Sequence, residues 1–290
     1  GGDWVDGVYV VTDSTANLPP ETAERLGIAV VPIVVHIGDK NYRDGVDITA
    51  AAVYERMGEG DVPVKTSQPS PHDFVAVYER IIERAGGARP TILSLHLSSR
   101  FSGTLQAATV AKQLVADRAE VVVVDTKLTE YPMGYIVQRV AAAARDGASA
   151  DECVALVDRL RANTHVFFLV DTLEYLQKGG RIGRAAALVG SLLQIKPLLT
   201  LEAGEIGVAD KVRGKRKALD RLFALLAERV GDRPVHAGVL HAAVPDEAAA
   251  LRERVQATFR VEGPVDVVEI GPVVGAHVGI GTLAVSLVTI

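Results

Sequence analysis

The sequence predicts an α/β protein of two domains. Short runs of β-branched residues, typical of strands buried on both faces, alternate with amphipathic helices through the first half of the chain. This alternation indicates a parallel sheet with right-handed crossovers. Near residue 162 the pattern changes, and a second set of strands and helices begins. We therefore expect an N-terminal α/β domain over residues 1–162 and a second α/β domain over residues 163–290.

Composition limits the classes of function. The 290 residues are 48% hydrophobic and 23% charged, with a net charge of -5, so nucleic acid is not expected as the main partner. The single cysteine, Cys153, excludes an intramolecular disulfide and is interpreted as a small apolar residue on a helix. No apolar run is long enough to span a membrane, and no signal-peptide pattern opens the sequence. A cytoplasmic location is the expectation.

The first strand predicted is Val8 to Thr12, which ends in the polar pair Asp13-Ser14. Glu21 to Leu26 forms a short helix that the following glycine can end. Ala29 to Ile37 is the next strand, interrupted by Pro32 and therefore expected near a sheet edge.

The next two predicted helices begin at hydroxyl residues. Thr49 can cap a helix that runs to about Met57. Ser70, followed by a proline, can cap an amphipathic helix over Asp73 to Ala85. These caps leave Thr66 and Ser67 without a structural role, although both are also common in turns.

A third hydroxyl-rich stretch joins the strand Thr91 to Leu95 to a helix over Ser102 to Val115. Ser98, Ser99 and Ser102 lie at this junction, where the helix dipole and unpaired backbone N–H groups favour an anion. A serine here can also serve only as the helix cap. Because one serine is enough for a cap, a binding loop is the favoured interpretation.

The strand Val121 to Val124 ends in Asp125-Thr126 and completes the series. In parallel sheets ligands bind at the carboxyl ends of the strands, so the polar residues after the strands are expected to converge on one rim. Neither a dinucleotide-binding Gly-x-Gly-x-x-Gly nor a Walker-type phosphate loop is present. No nucleotide cofactor and no metal are therefore predicted.

The rest of the chain continues in helices and strands. Helices are expected over Pro132 to Arg145 and Asp151 to Arg161, and a strand over Val166 to Val170. After a turn at Gly179-Gly180, the next helix carries an apolar stripe of Leu188, Val189, Leu192 and Leu193. Later strands are expected at Val235 to Leu240, Val265 to Ile270 and Leu283 to Val288. The segment Gly271 to Gly281 places four glycines around His277 and is interpreted as a glycine-rich turn.

Five motifs occur in order along essentially the whole chain. They are Asp13 to Pro19, Thr66 to Pro69, Ser98-Ser99 with Ser102-Gly103-Thr104, Leu176 to Ile182, and Gly271-Pro272 with His277. Together they resemble the motifs of the DegV family of bacterial fatty-acid-binding proteins. The resemblance implies a Rossmann-like parallel-sheet domain and a second α/β domain with a mixed or antiparallel sheet. It implies one bound long-chain fatty acid, with its carboxylate between the domains and its acyl tail in the second. It further implies a partner ATP-dependent fatty acid kinase, related to dihydroxyacetone kinases, that converts the carboxylate to an acyl phosphate.

On that pattern Thr66, Ser98 and His277 fall on the carboxylate-binding positions. The supporting loops contain Ser14, Ser67, Ser99, Ser102, Gly103, Thr104 and Asp125. Two hydroxyls and an imidazole can satisfy a carboxylate without a permanent positive charge, leaving one oxygen able to attack a phosphoryl group. Alternatively, His277 only forms hydrogen bonds within a glycine-rich turn and binds no ligand.

Further functions and contacts are left open. A serine hydrolase could use Ser98 or Ser102 with His277 as base, although neither serine has the flanking glycines of a nucleophile elbow and no acidic partner can be named. Lys178, Arg181 and Arg184 could contact the partner kinase or a phosphate, or be ordinary surface charge. A basic stretch could bind nucleic acid or an acidic partner, or simply begin a solvated helix; it comprises Lys211, Arg213, Lys215, Arg216 and Lys217. Transient membrane contact for lipid exchange is also consistent with fatty acid binding.

Overall fold

The computed structural model describes residues 7–60, 62–190 and 195–290. Its strands, in chain order, are β1 (Val8–Asp13), β2 (Ala29–Val31), β3 (Val34–Ile37), β4 (Lys40–Arg43), β5 (Val64–Ser67), β6 (Thr91–His96), β7 (Glu120–Asp125), β8 (Thr164–Leu169), β9 (Ile195–Glu202), β10 (Glu205–Arg213), β11 (Val235–His241), β12 (Asp266–Glu269) and β13 (Leu283–Thr289). Its α-helices are α1 (Pro20–Leu26), α2 (Ala50–Glu59), α3 (Pro71–Arg84), α4 (Thr104–Leu114), α5 (Glu130–Arg145), α6 (Ala150–Ala162), α7 (Glu174–Lys178), α8 (Lys215–Val230), α9 (Pro245–Thr258) and α10 (Pro272–Val278). Short 3-10 helices cover Ser14–Ala16 and Gly183–Leu188.

The chain divides into two compact units, and the division is discontinuous in sequence. Among the described residues, the first unit contains 7–34, 43–46 and 66–162, and the second contains 35–42, 47–60, 62–65, 163–190 and 195–290. Two segments that the sequence assigned to the N-terminal domain thus belong to the second unit. One reason is α2, whose Tyr54 O–H donates a buried 2.6 Å hydrogen bond to the carbonyl oxygen of Ile270. A small third sheet has the strand order β4-β3-β5. A boundary between the two units falls inside each of these three strands.

The first unit is built on a parallel sheet in the order β2-β1-β6-β7, as the sequence predicted. Helices α3 and α4 pack on this sheet through a core that includes Phe74, Tyr78 and Ala108. Helix α5 packs against β1, and α1 and α6 pack against α5. Ser70 and Asp73 form a capping box that fixes the start of α3.

The second unit is built on a mixed sheet in the order β10-β9-β8-β13-β11-β12. Strands β11 and β12 are parallel, and the other neighbouring pairs are antiparallel. Helices α8 and α9 cover one face of this sheet through a core that contains Leu222, Phe223 and Leu251. The α/β fold class and the mixed second sheet are confirmed.

Several predicted elements differ from those observed. Pro32 splits the second predicted strand into β2 and β3 because it cannot donate a ladder hydrogen bond. The glycine-rich segment around His277 is not a turn but the helix α10. The helix predicted after Gly179-Gly180 is a 3-10 helix over Gly183–Leu188, and Leu192 and Leu193 lie outside the described residues.

Candidate functional site

The polar ends of the parallel strands meet at one edge of the first unit. Strand β1 ends at Asp13, β6 at His96 and β7 at Asp125. Asp13 Oδ2 accepts a 3.1 Å hydrogen bond from the backbone N–H of Leu97, and Asp125 Oδ2 accepts a 2.8 Å hydrogen bond from the Ser99 hydroxyl. The structure therefore brings together the three strand ends that the sequence analysis placed on one rim.

Asp13 is the most heavily bonded carboxylate at this rim. Its Oδ1 accepts from the backbone N–H of Thr15 at 3.0 Å and from the Thr15 hydroxyl at 2.5 Å. Its Oδ2 contacts His96 Nδ1 at 2.9 Å as well as Leu97 N. The carboxylate is fully buried, and four donors compensate for the loss of its hydration.

His96 continues this bonding into the interior of the first unit. Its Nε2 lies 2.6 Å from Ser94 Oγ, which lies 2.7 Å from the Tyr78 hydroxyl. All of these side chains are buried, and burial raises the pKa of Tyr78. The sequence analysis missed this chain of hydrogen bonds. The available signal was two polar residues, Ser94 and His96, at the i and i+2 positions of a buried strand.

The order Asp13–His96–Ser94 is that of a catalytic triad, but its geometry does not suit catalysis. The Ser94 hydroxyl is fully buried and is shared between His96 and Tyr78. A nucleophile must instead present its oxygen to a substrate. We interpret these residues as a buried polar network that fixes the strand ends.

The loop after β6 carries Ser98, the predicted carboxylate ligand. Its backbone N–H donates to the carbonyl oxygen of Leu128 at 3.0 Å, and its Oγ accepts from the backbone N–H of Arg100 at 3.2 Å. Ser98 is buried in this arrangement. The main chain of the same loop therefore holds the Ser98 hydroxyl oxygen in place.

Gly103 joins this loop to the segment that carries Thr66. A Cβ at Gly103 would come within 2.9 Å of Gln68 Nε2, so the Gln68 side chain lies directly against the glycine. Ser102 Oγ accepts from the backbone N–H of Thr104 and shares a 2.8 Å hydrogen bond with its hydroxyl, so Ser102 has a structural role at the start of α4. Gln68 was not singled out from the sequence, because only the folded structure brings it to Gly103.

Ser14, Ser99 and Asp125 also have structural roles. Ser99 and the backbone N–H of Lys127 both donate to Asp125, which ties the loops after β6 and β7 together. Ser14 Oγ accepts from the backbone N–H of Ile33 at 3.0 Å. Ser67 ends β5 and is partly buried.

A second buried carboxyl group, Asp44, lies beside Ser14. Burial raises its pKa to about 7, the Ser14 hydrogen bond opposes this, and the nearby charge of Asp13 adds to the rise. Its sequence neighbours Arg43, Gly45 and Val46 are exposed, so no local pattern in the sequence indicates that Asp44 is buried.

His277 lies in the second unit, near the C-terminal end of α10. The backbone of Gly179 packs on its ring so closely that a Cβ at this glycine would overlap Nδ1. Burial, and then the positive charge of Arg181, lower the pKa of His277 to about 4. The imidazole is therefore neutral at neutral pH.

The three predicted phosphate or partner contacts differ in their surroundings. Arg181 donates to the carbonyl oxygen of Gly179 at 2.6 Å and lies near enough to His277 to influence its pKa. The sequence analysis expected no permanent cation beside the head-group residues, and the structure places Arg181 beside one of them. Lys178 pairs with Glu174 at 2.5 Å, and Arg184 lies 3.3 Å from Glu205 on the surface.

Of the basic stretch, Lys211 and Arg213 lie at the end of β10, and Lys215, Arg216 and Lys217 begin α8. Lys215 pairs with Glu247 of α9. The other members, Lys211, Arg213, Arg216 and Lys217, are exposed.

The second unit also contains an apolar sheet face opposite α8 and α9. Leu240, Ala284, Phe168 and Leu199 are neighbours across β11, β13, β8 and β9, and all are buried. Their immediate strand neighbours point into the core beneath α8 and α9, so these side chains project from the other face. Helix α10 contacts both α2 and α7 in the same unit.

Comparison with known proteins identifies the family. The family model described as "Uncharacterised protein, DegV family" matches residues 7–289. The chain belongs to the DegV family. A DegV domain-containing protein of Streptomyces coelicolor is 43% identical over 280 residues, which cover 96% of this chain and 97% of that protein.

Solved DegV proteins share the whole fold. A fatty-acid-binding DegV family protein from Thermus thermophilus is 36% identical with a TM-score of 0.90, covering 98% of this chain and 100% of its own. DegV from Bacillus subtilis, described as a fatty acid binding protein, is 31% identical with a TM-score of 0.89 and the same coverage. Within the described ranges of this DegV protein, no helix has the length and apolar character needed to cross a bilayer, and no cluster of metal-ligating side chains occurs.

Proposed function

We propose that this DegV protein binds one long-chain fatty acid. The observation that carries the proposal is the match, over 98% of the chain, to two solved DegV proteins described as fatty acid binding. The buried apolar face of the mixed sheet supplies a suitable environment for an acyl tail. Burial of a 16-carbon tail at ~0.8 kcal/mol per methylene contributes roughly 10 kcal/mol before ordering costs.

The proposed carboxylate ligands are Thr66, Ser98 and His277. Hydroxyl O–H groups and a neutral imidazole N–H can donate to a carboxylate without neutralising its charge. The depressed pKa of His277 supports this assignment, because a neutral ring leaves the carboxylate oxygen nucleophilic. Arg181 then supplies a nearby positive charge that can stabilise added phosphate charge.

The proposal extends to a partner that phosphorylates the bound fatty acid. We infer that an ATP-dependent fatty acid kinase related to dihydroxyacetone kinases supplies the nucleotide and forms the acyl phosphate. In this role the chain is a binding subunit and not an enzyme by itself, and Lys178, Arg181 and Arg184 contact the kinase or the phosphate. Because such a kinase uses cytoplasmic ATP, the protein acts in the cytoplasm and exchanges lipid with the membrane surface.

Lipid analysis tests the binding function directly. Organic extraction of the purified protein, followed by mass spectrometry, should yield about one fatty acid per chain. Protein that arrives empty and takes up neither palmitate nor oleate would refute the proposal. Turnover of p-nitrophenyl esters that Ser98→Ala abolishes would favour the serine hydrolase alternative.

Substitutions test the head-group assignment. Thr66→Ala, Ser98→Ala and His277→Ala should each retain the lipid, because one neutral donor contributes only about 0.5 to 3 kcal/mol. Each should impair acyl phosphate formation by a competent kinase, because the attacking oxygen loses its orientation. Ser149→Ala is a matched control, since its exposed hydroxyl only caps α6 through Glu152 N. Normal phosphorylation in all three variants would remove these residues from the site.

A further inference from the structure

The main chain that leads into Ser98 is held by a side chain from a different strand. Asp13 Oδ2 accepts from the backbone N–H of Leu97, the residue immediately before Ser98. The same carboxylate holds Thr15 through its other oxygen. One buried group therefore sets the position of the loop after β6 relative to the loop after β1.

His96 fixes the orientation of this carboxylate. His96 Nδ1 lies 2.9 Å from Asp13 Oδ2, and its Nε2 lies 2.6 Å from the Ser94 hydroxyl. Ser94 Oγ is in turn 2.7 Å from the Tyr78 hydroxyl, whose pKa is raised by burial. Both nitrogens of the ring are thus engaged, which holds the ring against Asp13.

The geometry points to Asp13 and His96 as a positioning pair that aims the Ser98 hydroxyl at the carboxylate of the bound fatty acid. This inference rests on the proposed function. Neither residue needs to touch the ligand, because Asp13 acts through the Leu97 peptide and His96 acts through Asp13. The pair is fully buried, so water does not compete for its hydrogen bonds in the folded structure.

Asp13→Asn separates this role from ordinary core stability. The amide has nearly the shape of the carboxylate, and its oxygen can still accept from Thr15. The amide nitrogen, however, would face Leu97 N–H and His96 Nδ1 as a donor. His96 can respond by changing its tautomer, because both its nitrogens have partners that can reverse direction. The Leu97 N–H has no such option, so the damage falls on the His96–Leu97 peptide, where the main chain leads toward Ser98.

The test uses palmitate labelled with carbon-13 at its carboxyl carbon, bound to the whole protein and observed by NMR. Asp13→Asn should shift the carboxyl resonance by more than its linewidth while leaving the palmitate stoichiometry at the wild-type value. Thr12→Val is the matched control, since it removes a buried 2.7 Å hydrogen bond to Leu95 O between the same two strands. The control should leave the resonance in place.

Two results would overturn the inference: an unmoved resonance in Asp13→Asn, or an equal shift in Thr12→Val. Wild-type protein that binds no palmitate would overturn the proposed function and the inference together, so the two failures are distinguishable. If Asp13→Asn does not fold, a comparison of His96→Leu with His96→Asn tests the inference instead. Asparagine can place its amide N–H near the position of Nδ1, so it should restore the resonance that leucine shifts; equal spectra for both would also contradict the positioning role.

Discussion

At the scale of single residues, hydroxyl side chains that look alike in the sequence have distinct roles in the structure. Ser14, Ser99 and Ser102 bond to the protein itself, and they shape the loops around Ser98. These loops could be located from sequence because each directly follows a buried strand. The buried pair Asp13–His96 could not, because its partners lie on different strands.

His277 shows how two causes combine at one residue. Its pKa of about 4 reflects burial first and the charge of Arg181 second. Arg181→Gln should therefore raise this pKa but leave it below 6.5, because burial remains. The midpoint of the His277 imidazole signals in an NMR pH titration measures the change.

Arg184→Gln is the control for that measurement. Arg184 lies on the surface near Glu202 and Glu205, and it is not among the causes of the His277 shift. The two variants remove the same charge, so an equal rise in both would show that only net charge matters. No change in either would show that Arg181 does not act on the ring.

At the scale of elements, the best predictions were those that depend on local chemistry. Ser70 caps α3 as expected, and β1, β6 and β7 lie within two residues of their predicted ends. Strands β9 and β10 were not predicted; they pair with each other, and a bulge between Val208 and Asp210 interrupts the alternation of β10. Helix α10 was misread because its glycines suggested a turn; Gly275 instead lets Tyr54 of α2 approach the helix.

The junction between α7 and α10 depends on Gly179. This residue has a φ of -77°, which any amino acid can adopt, so its requirement for glycine is purely steric. Gly179→Ala should push the His277 ring out of its buried position and move its pKa toward 6.5. NMR titration of the imidazole again provides the measurement.

Gly180→Ala is a control at the neighbouring residue, where the backbone angle, and not a steric contact, disfavours alanine. Its φ of +70° disfavours alanine, but no atom lies within 4 Å of the added Cβ. This variant should lose about 1 kcal/mol of stability while the His277 midpoint stays unchanged. A displaced midpoint in Gly180→Ala, or a normal one in Gly179→Ala, would contradict the steric explanation.

At the scale of the whole molecule, the sequence located the change of architecture near residue 162 but not the exchange of segments between the units. Residues 47–65 carry a helix whose own pattern is compatible with either unit. Only the packing of Tyr54 against Ile270 and Gly275 assigns it to the second. Such an assignment requires long-range contacts, which periodicity along the chain does not contain.

Asp44 in the first unit and His277 in the second affect stability with opposite dependence on pH. His277 has a folded-state pKa lowered from 6.5 to about 4, so the unfolded chain binds its proton more strongly and stability falls as pH falls through this window. Asp44 has a folded-state pKa raised from 3.8 to about 7, so its contribution is largest at low pH and falls as pH rises through that window. Between about pH 4 and 6.5 the two effects oppose each other.

Removing one of these groups should therefore reveal the pH dependence of stability that the other group causes. Relative to wild type, the unfolding free energy of Asp44→Asn should improve by roughly 2 kcal/mol from pH 4.5 to pH 6, because each full proton contributes about 1.4 kcal/mol per pH unit. That of His277→Gln should worsen by a similar amount over the same interval. Urea denaturation of the three proteins at both pH values, without added fatty acid, measures these differences. Changes of the same sign in the two variants would show that the buried carboxyl group and the buried imidazole do not balance each other in the folded protein.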